Sequence, residues 1–147
     1  MMRILFWVFF LLLLQACASG PSVTPEDIST KAAPIFGQSF KLYYVPSRGA
    51  VMDTQFIVLS KKSPDSGMAT QLATVISKAA EVPVNIAVGG PNSAKSAIVI
   101  QNAIELNQGK SLSQLHLVFV GNVQDSEGPN HSVSSSGAKF TFVQNGL

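Results

Sequence analysis

Residues 25–147 are predicted to form a single small α/β domain with a mixed sheet in the order β-β-α-β-α-β-loop-β. Strand-like and helix-like hydrophobic patterns alternate along residues 54–143. Residues 54–120 read as two successive βαβ units, so three strands are expected to be parallel with right-handed crossovers, flanked by antiparallel edge strands. About 130 residues follow position 16, enough for one domain with its own core.

The elements follow in order. Thr24-Pro25-Glu26-Asp27 has the composition of a helix start: a capping hydroxyl, proline at the first helical position, and acids at the positive end of the dipole. That helix is expected to stop before Pro34. Phe40–Val45 (FKLYYV) alternates as a strand ended by Pro46, and Ser47–Asp53 reads as a loop. Thr54–Ser60 (TQFIVLS) has a continuous apolar middle, as in a strand covered on both faces. Ser63-Pro64-Asp65 signals a helix start, and Met68, Leu72, Val75, Ile76 and Ala79 follow at helical spacing.

Pro83 opens a strand, Val84–Val88, which ends at Gly89-Gly90. A second long helix is expected from about Asn92 to Gln108, with Gly109 as its C′ residue. Its apolar residues run almost all the way round, so neighbours are expected on several sides. Leu115–Val120 (LHLVFV) is a strongly apolar strand, residues 121–137 form a Gly/Ser/Asn-rich loop, and Ala138–Val143 (AKFTFV) closes as an alternating strand. Phe36, Phe40, Tyr43, Tyr44, Phe140 and Phe142 are expected in the core. If the first and last strands are edges, their unpaired amides and carbonyls also offer templates for strand addition.

The N-terminus carries the most specific pattern in the chain. Arg3 supplies a positive n-region, and Ile4–Leu14 is an unbroken run of eleven apolar residues. A membrane-spanning helix needs roughly 18 or more, so this run reads as a signal-peptide h-region. Leu14-Gln15-Ala16-Cys17 resembles the lipobox of bacterial lipoprotein precursors. The resemblance implies a signal peptide over residues 1–16, cleavage after Ala16, and a diacylglyceryl thioether on Cys17, with residues 17–24 as tether. Ala18 is not the aspartate associated with inner-membrane retention, so the resemblance implies an outer-membrane lipoprotein, held by lipid and facing the periplasm. Cys17 is the single cysteine, so no disulfide forms within the chain.

Charge narrows the partners. The chain carries a net +2, Arg3 included, and only 12% charged residues, about half the usual share. Apart from Lys61-Lys62 the cations are scattered singly, so no basic stripe for nucleic acid is present. A weakly charged surface fits assembly with other envelope proteins.

Gly89-Gly90-Pro91-Asn92-Ser93-Ala94-Lys95-Ser96 follows a strand, opens a helix, and matches a phosphate-binding P-loop except that Ala94 replaces the second glycine. Pro91 removes an amide that the phosphate cradle would use. The expected role is therefore a strand-to-helix turn with Asn92 or Ser93 as N-cap, with Gly89, Gly90, Asn92, Ser93 and Ser96 as the positions to inspect for a ligand.

Residues 54–143 are also similar in layout to the OmpA-like peptidoglycan-binding domain, matching Phe56–Leu59, Ser63-Pro64-Asp65, Val84–Gly89, the helix after Asn92, and Leu115–Val120. That family holds diaminopimelate with an aspartate and an arginine. Here Asn92 takes the first position and Ser96 falls near the second, so the salt-bridged, bidentate recognition is missing.

No catalytic constellation stands out. His116 lies in an apolar strand on the face of Val118 and Val120, and His131 sits in the 121–137 segment beside Asn130. Two histidines and dispersed acids provide no metal-ligand spacing, and no cofactor or enzymatic activity is expected. The function expected is a non-catalytic structural or docking subunit of an envelope assembly of secretion, conjugation or pilus type. The alternative is a cell-wall or small-ligand binding module.

Overall fold

The computed structural model describes residues 22–146, so Ala16, Cys17 and the rest of the leader lie outside the described residues. The α/β class holds: helices pack on both faces of a four-stranded sheet in one domain. In chain order the elements are α1 (Pro25–Phe36), β1 (Lys41–Tyr44), α2 (Ala50–Lys62), α3 (Gly67–Ser77), β2 (Val84–Gly89), α4 (Ser93–Glu105), β3 (Leu115–Gly121), α5 (Glu127–Ser135) and β4 (Lys139–Gln144). Single 3-10 turns at Lys78–Ala80 and Val123–Asp125 follow α3 and precede α5.

The sheet order is β1-β2-β3-β4 and every pairing is parallel. Antiparallel edges were expected, but each edge strand is joined to its neighbour by a helical crossover, and a crossover returns the chain to the same end of the sheet. β1 and β4 are nevertheless the two edges. Because the strand order never reverses, crossovers of one hand place their helices on one face. There α3 and α4 supply Leu72, Ile76, Val99, Ile100 and Ala103, packed on Ile86, Val88, Leu117 and Phe119. α1 covers the other face through Ile28 and Ala32, against Ala87, Val118 and Val120.

Three expectations change. Thr54–Ser60 is helix and not strand: it forms the middle of α2, so the first βαβ unit begins at β1 and the sheet contains three crossovers in place of two. One feature of the OmpA-like layout, the strand at Phe56–Leu59, is therefore not there. Residues 121–137 are largely helical, with α5 tolerating Pro129 in its first turn, where the amide has no intrahelical acceptor. Gly128 brings α5 close to α4, since a methyl there would meet the Gln101 side chain.

Helix ends shift less. α1 runs through Pro34 to Phe36 and ends at Gly37, whose φ of 61° is left-handed. Its start is a full capping box: the Asp27 amide donates to Thr24 Oγ1 at 3.2 Å, and the Thr24 amide donates to Asp27 Oδ2 at 2.8 Å. α3 starts at Gly67 with Ser66 as its cap, three residues past the start expected at Ser63-Pro64. α4 ends at Glu105, and Gly109 (φ 88°) belongs to the turn that follows. As expected, α4 is enclosed on several sides, by α2, α3, α5 and the sheet.

Candidate functional site

In a parallel sheet all strands finish at the same end, and here that end gathers the exits of β1, β2 and β3 around the start of α4. Gly89 and Gly90 make the crossing possible. A side chain on Gly89 would meet the Val120 carbonyl and Ile28, and one on Gly90 would overlap the Val45 carbonyl. The Val45 amide donates to Gly89 O at 2.8 Å, extending the β1–β2 ladder by one bond.

Asn92 is the N-cap of α4, its side chain accepting from the Lys95 amide at 3.0 Å. Ser93 Oγ accepts from the Asn122 amide at 2.8 Å, which ties the exit of β3 to the same turn. Lys95 departs most from phosphate binding. Its side chain turns inward, 2% exposed, and its ammonium donates to Asp53 Oδ1 and to Pro46 O, each at 2.8 Å. The ammonium also lies 5.1 Å from the centre of the Phe56 ring. The turn thus clasps three strand exits, and its lysine is occupied within the fold.

Asp53, 1% exposed, is the residue that sequence reasoning missed. Besides Lys95 it accepts from the Arg48 amide at 3.0 Å, from Ser47 Oγ, and from Asn92 Nδ2 at 3.4 Å. Burial pushes its carboxyl up, but the Arg48 amide, the Lys95 ammonium and the Ser47 hydroxyl together outweigh burial and hold it at about 2. A lysine on the enclosed face of a long helix demands a buried anion, but nothing local indicates which of the scattered acids supplies it.

Ser96 is fully buried and its hydroxyl has no hydrogen-bond partner. A methyl on Gly90 would sit 3.4 Å from that hydroxyl, so Ser96 packs beneath the turn and not toward solvent. Of the two positions matched to the diaminopimelate-binding pair, Asn92 is partly exposed and serves as a cap, and Ser96 is buried. His116 is a satisfied histidine: its Nε2 lies 2.9 Å from Thr141 Oγ1 and its ring meets Phe36 edge-on at 4.9 Å. Burial, assisted by Lys139, lowers its pKa. His131 is exposed on α5 at an open groove of about 620 Å³ that it shares with Lys61, Lys110 and Gln101. Among the described residues no group of three or more His, Cys, Asp or Glu is placed to hold a metal, and no helix is long and apolar enough to cross a membrane.

The most unusual surface belongs to α2. Taken at about 100° per residue, Val51, Met52, Gln55, Val58, Leu59 and Lys62 fall within about 120° of one another. These six are exposed, and the four apolar ones are between 49% and 71% exposed. Asp53 and Ser60 lie on the opposite side of the helix and are buried. Each is held by α4: Lys95 Nζ donates to the Asp53 carboxylate, and Asn102 Nδ2 donates to Ser60 O at 2.9 Å. The inner face mixes these hydrogen bonds with apolar contact, since Phe56 packs against the main core.

The chain matches no family model, no curated protein and no solved structure.

Proposed function

We propose that this chain is a non-catalytic docking subunit of a cell-envelope assembly of secretion, conjugation or pilus type, held on the outer membrane by lipid on Cys17. The observation that carries the docking role is the orientation of α2. A soluble surface helix normally turns its apolar stripe toward the core, whereas α2 turns Val51, Met52, Val58 and Leu59 outward. The ion pair to Lys95, the bond from Asn102 and the packing of Phe56 on the core hold it in that orientation. Four exposed apolar side chains on one face of a helix held in this way support an interaction surface. The lipobox-like Leu14-Gln15-Ala16-Cys17 supports the anchor, and the low charge of the chain suits association with other proteins.

Pull-down of the intact protein after mild cross-linking tests this reading. Other envelope proteins should be recovered with it, and Leu59→Glu should release them without unfolding the domain. Recovery of murein alone, with no protein partner, would sink the docking role. The anchor is tested separately: Cys17→Ser should leave the outer-membrane fraction, and an unlipidated chain that stayed there would overturn it.

A further inference from the structure

We infer that the end of the domain where the strands exit is its bilayer-facing surface, lying over zwitterionic headgroups, and that the end where the strands begin is turned away from the membrane. This rests on the lipid anchor at Cys17 proposed above and specifies how that anchor orients the domain. Val23 is fixed to the fold: its carbonyl accepts from the Tyr44 hydroxyl at 2.9 Å, and Tyr44 is the last residue of β1. α1 then runs back along the sheet. A side chain on Gly89, the last residue of β2, would meet Ile28, whereas Phe36 at the end of α1 meets His116, the second residue of β3. The chain therefore enters the domain at the strand-exit end.

Length decides the orientation. Six peptide units join Cys17 to Val23, and fully extended they reach at most about 22 Å. The seven residues of β3 carry the sheet about 20 Å from its starting end to its exit end. The exit end cannot leave the bilayer by more than the tether's reach, whereas the starting end, kept out of the bilayer by its bulk, ranges further by the length of the sheet. Charge names the lipid. The exit end carries Glu26, Asp27, Asp125 and Glu127 against Arg48, and the starting end carries Lys41, Lys78, Lys110 and Lys139 against Glu81 and Glu105. The remaining surface charges, Lys31, Lys61, Lys62 and Asp65, belong to α1 and to the end of α2 with its connection to α3. An anionic leaflet would repel the exit end and draw in the lysines, so the tethered arrangement fits a zwitterionic surface.

The test uses the full lipidated chain in vesicles of phosphatidylethanolamine and phosphatidylcholine that include a lipid with a nitroxide on its headgroup. The thioether consumes the Cys17 thiol, so an introduced cysteine is the single site for a fluorophore. Gln124→Cys, beyond the exit of β3, should lose most of its emission to the nitroxide, and Ser113→Cys, before the start of β3, should keep most of it; both positions are exposed. Inserting roughly twenty Gly/Ser residues after Ser19, which adds about 25 Å of root-mean-square reach, should remove most of the contrast. Equal quenching at the two positions, stronger quenching at position 113, or a contrast that survives the longer tether overturns the inference. If mass spectrometry finds Cys17 unmodified, or the chain does not float with the vesicles, the anchor fails and takes the orientation with it. If the chain is lipidated and vesicle-bound but shows no contrast, the anchor stands and the orientation is wrong.

Discussion

The ammonium of Lys95, in the first turn of α4, lies 2.8 Å from the carboxylate of Asp53, in the first turn of α2, with both side chains buried. This one pair accounts for two properties of the molecule. It withdraws the lysine of a P-loop-like turn from solvent, and it ties the first turn of α2 to the first turn of α4. A buried ion pair is weak evidence for stability as such, but breaking it from one side is costly because the remaining charge stays in the core.

Removing Asp53 should therefore be the more damaging half. Asp53→Ala leaves the Lys95 ammonium with Pro46 O as its remaining acceptor, strips the Ser47 hydroxyl and Arg48 amide of theirs, and should cost about 3–5 kcal/mol. Lys95→Met leaves a carboxylate that still accepts from Ser47, Arg48 and Asn92, and should cost roughly half as much. Urea denaturation of both variants checks the order. Equal losses would mean that the loop donors contribute little.

The same carboxylate sets an acid limit. Its folded pKa of about 2 lies below the ordinary value of 3.8, so its stabilisation is fully present above pH 4 and is lost as pH falls through 4 toward 2. The amount is about 2 kcal/mol. Stability measured from pH 5 to pH 2 should fall in wild type, and the fall should be shallower in Asp53→Ala.

His116 moves in a higher window. Burial lowers its pKa, so the folded state favours the neutral ring, and its contribution is present above pH 6.5 and is lost as pH falls through the depressed value. Titration of the imidazole by NMR should show a midpoint below 6.5. A midpoint above 6.5 would contradict the packed, neutral histidine described between Phe36 and Thr141.

Gly90 should tolerate no side chain. A methyl there would overlap the Val45 carbonyl, which is backbone in the β1 exit and has no rotamer to change. Gly90→Ala is expected to destabilise by more than about 2 kcal/mol, measurable as a lower thermal midpoint, whereas Gly109→Ala, in open space at φ 88°, should cost only the backbone strain of about 1–2 kcal/mol.

The two leucines of the crossover helices should behave in opposite ways. Leu72→Ala, in the core of α3, should cost about 2–5 kcal/mol. Leu59→Ser, on the outer face of α2, should stay within about 0.5 kcal/mol of wild type. Thermal unfolding of both variants decides it, and a large loss for Leu59→Ser would place that face inside the fold.

How much could be read from the residues varies by element. Val84–Val88 and Leu115–Val120 are apolar, β-branched and bounded by turn residues, and both are strands within a residue of the expected limits. Thr24 and Asn92 cap the helices they precede because capping is a matter of a few neighbouring atoms. Phe56–Leu59 could not be settled in this way. A short apolar run fits a buried strand and a helix equally, and in the helix it forms Phe56 packs inward while Val58 and Leu59 point outward. Gly128 and Pro129 read as loop residues, yet a close approach to Gln101 and a first-turn position explain them inside α5.

The sequence by itself determined the α/β class, the central strands, the starts of α1 and α4, and the N-terminal pattern that resembles a lipobox, since each depends on local chemistry or on the period of a short segment. Tertiary structure alone decided that all four strands run parallel, that Thr54–Ser60 is helical, and that Lys95 is spent on Asp53. Those outcomes depend on which distant groups complete a buried charge and which crossover returns the chain, and neither is written in the spacing of neighbouring residues.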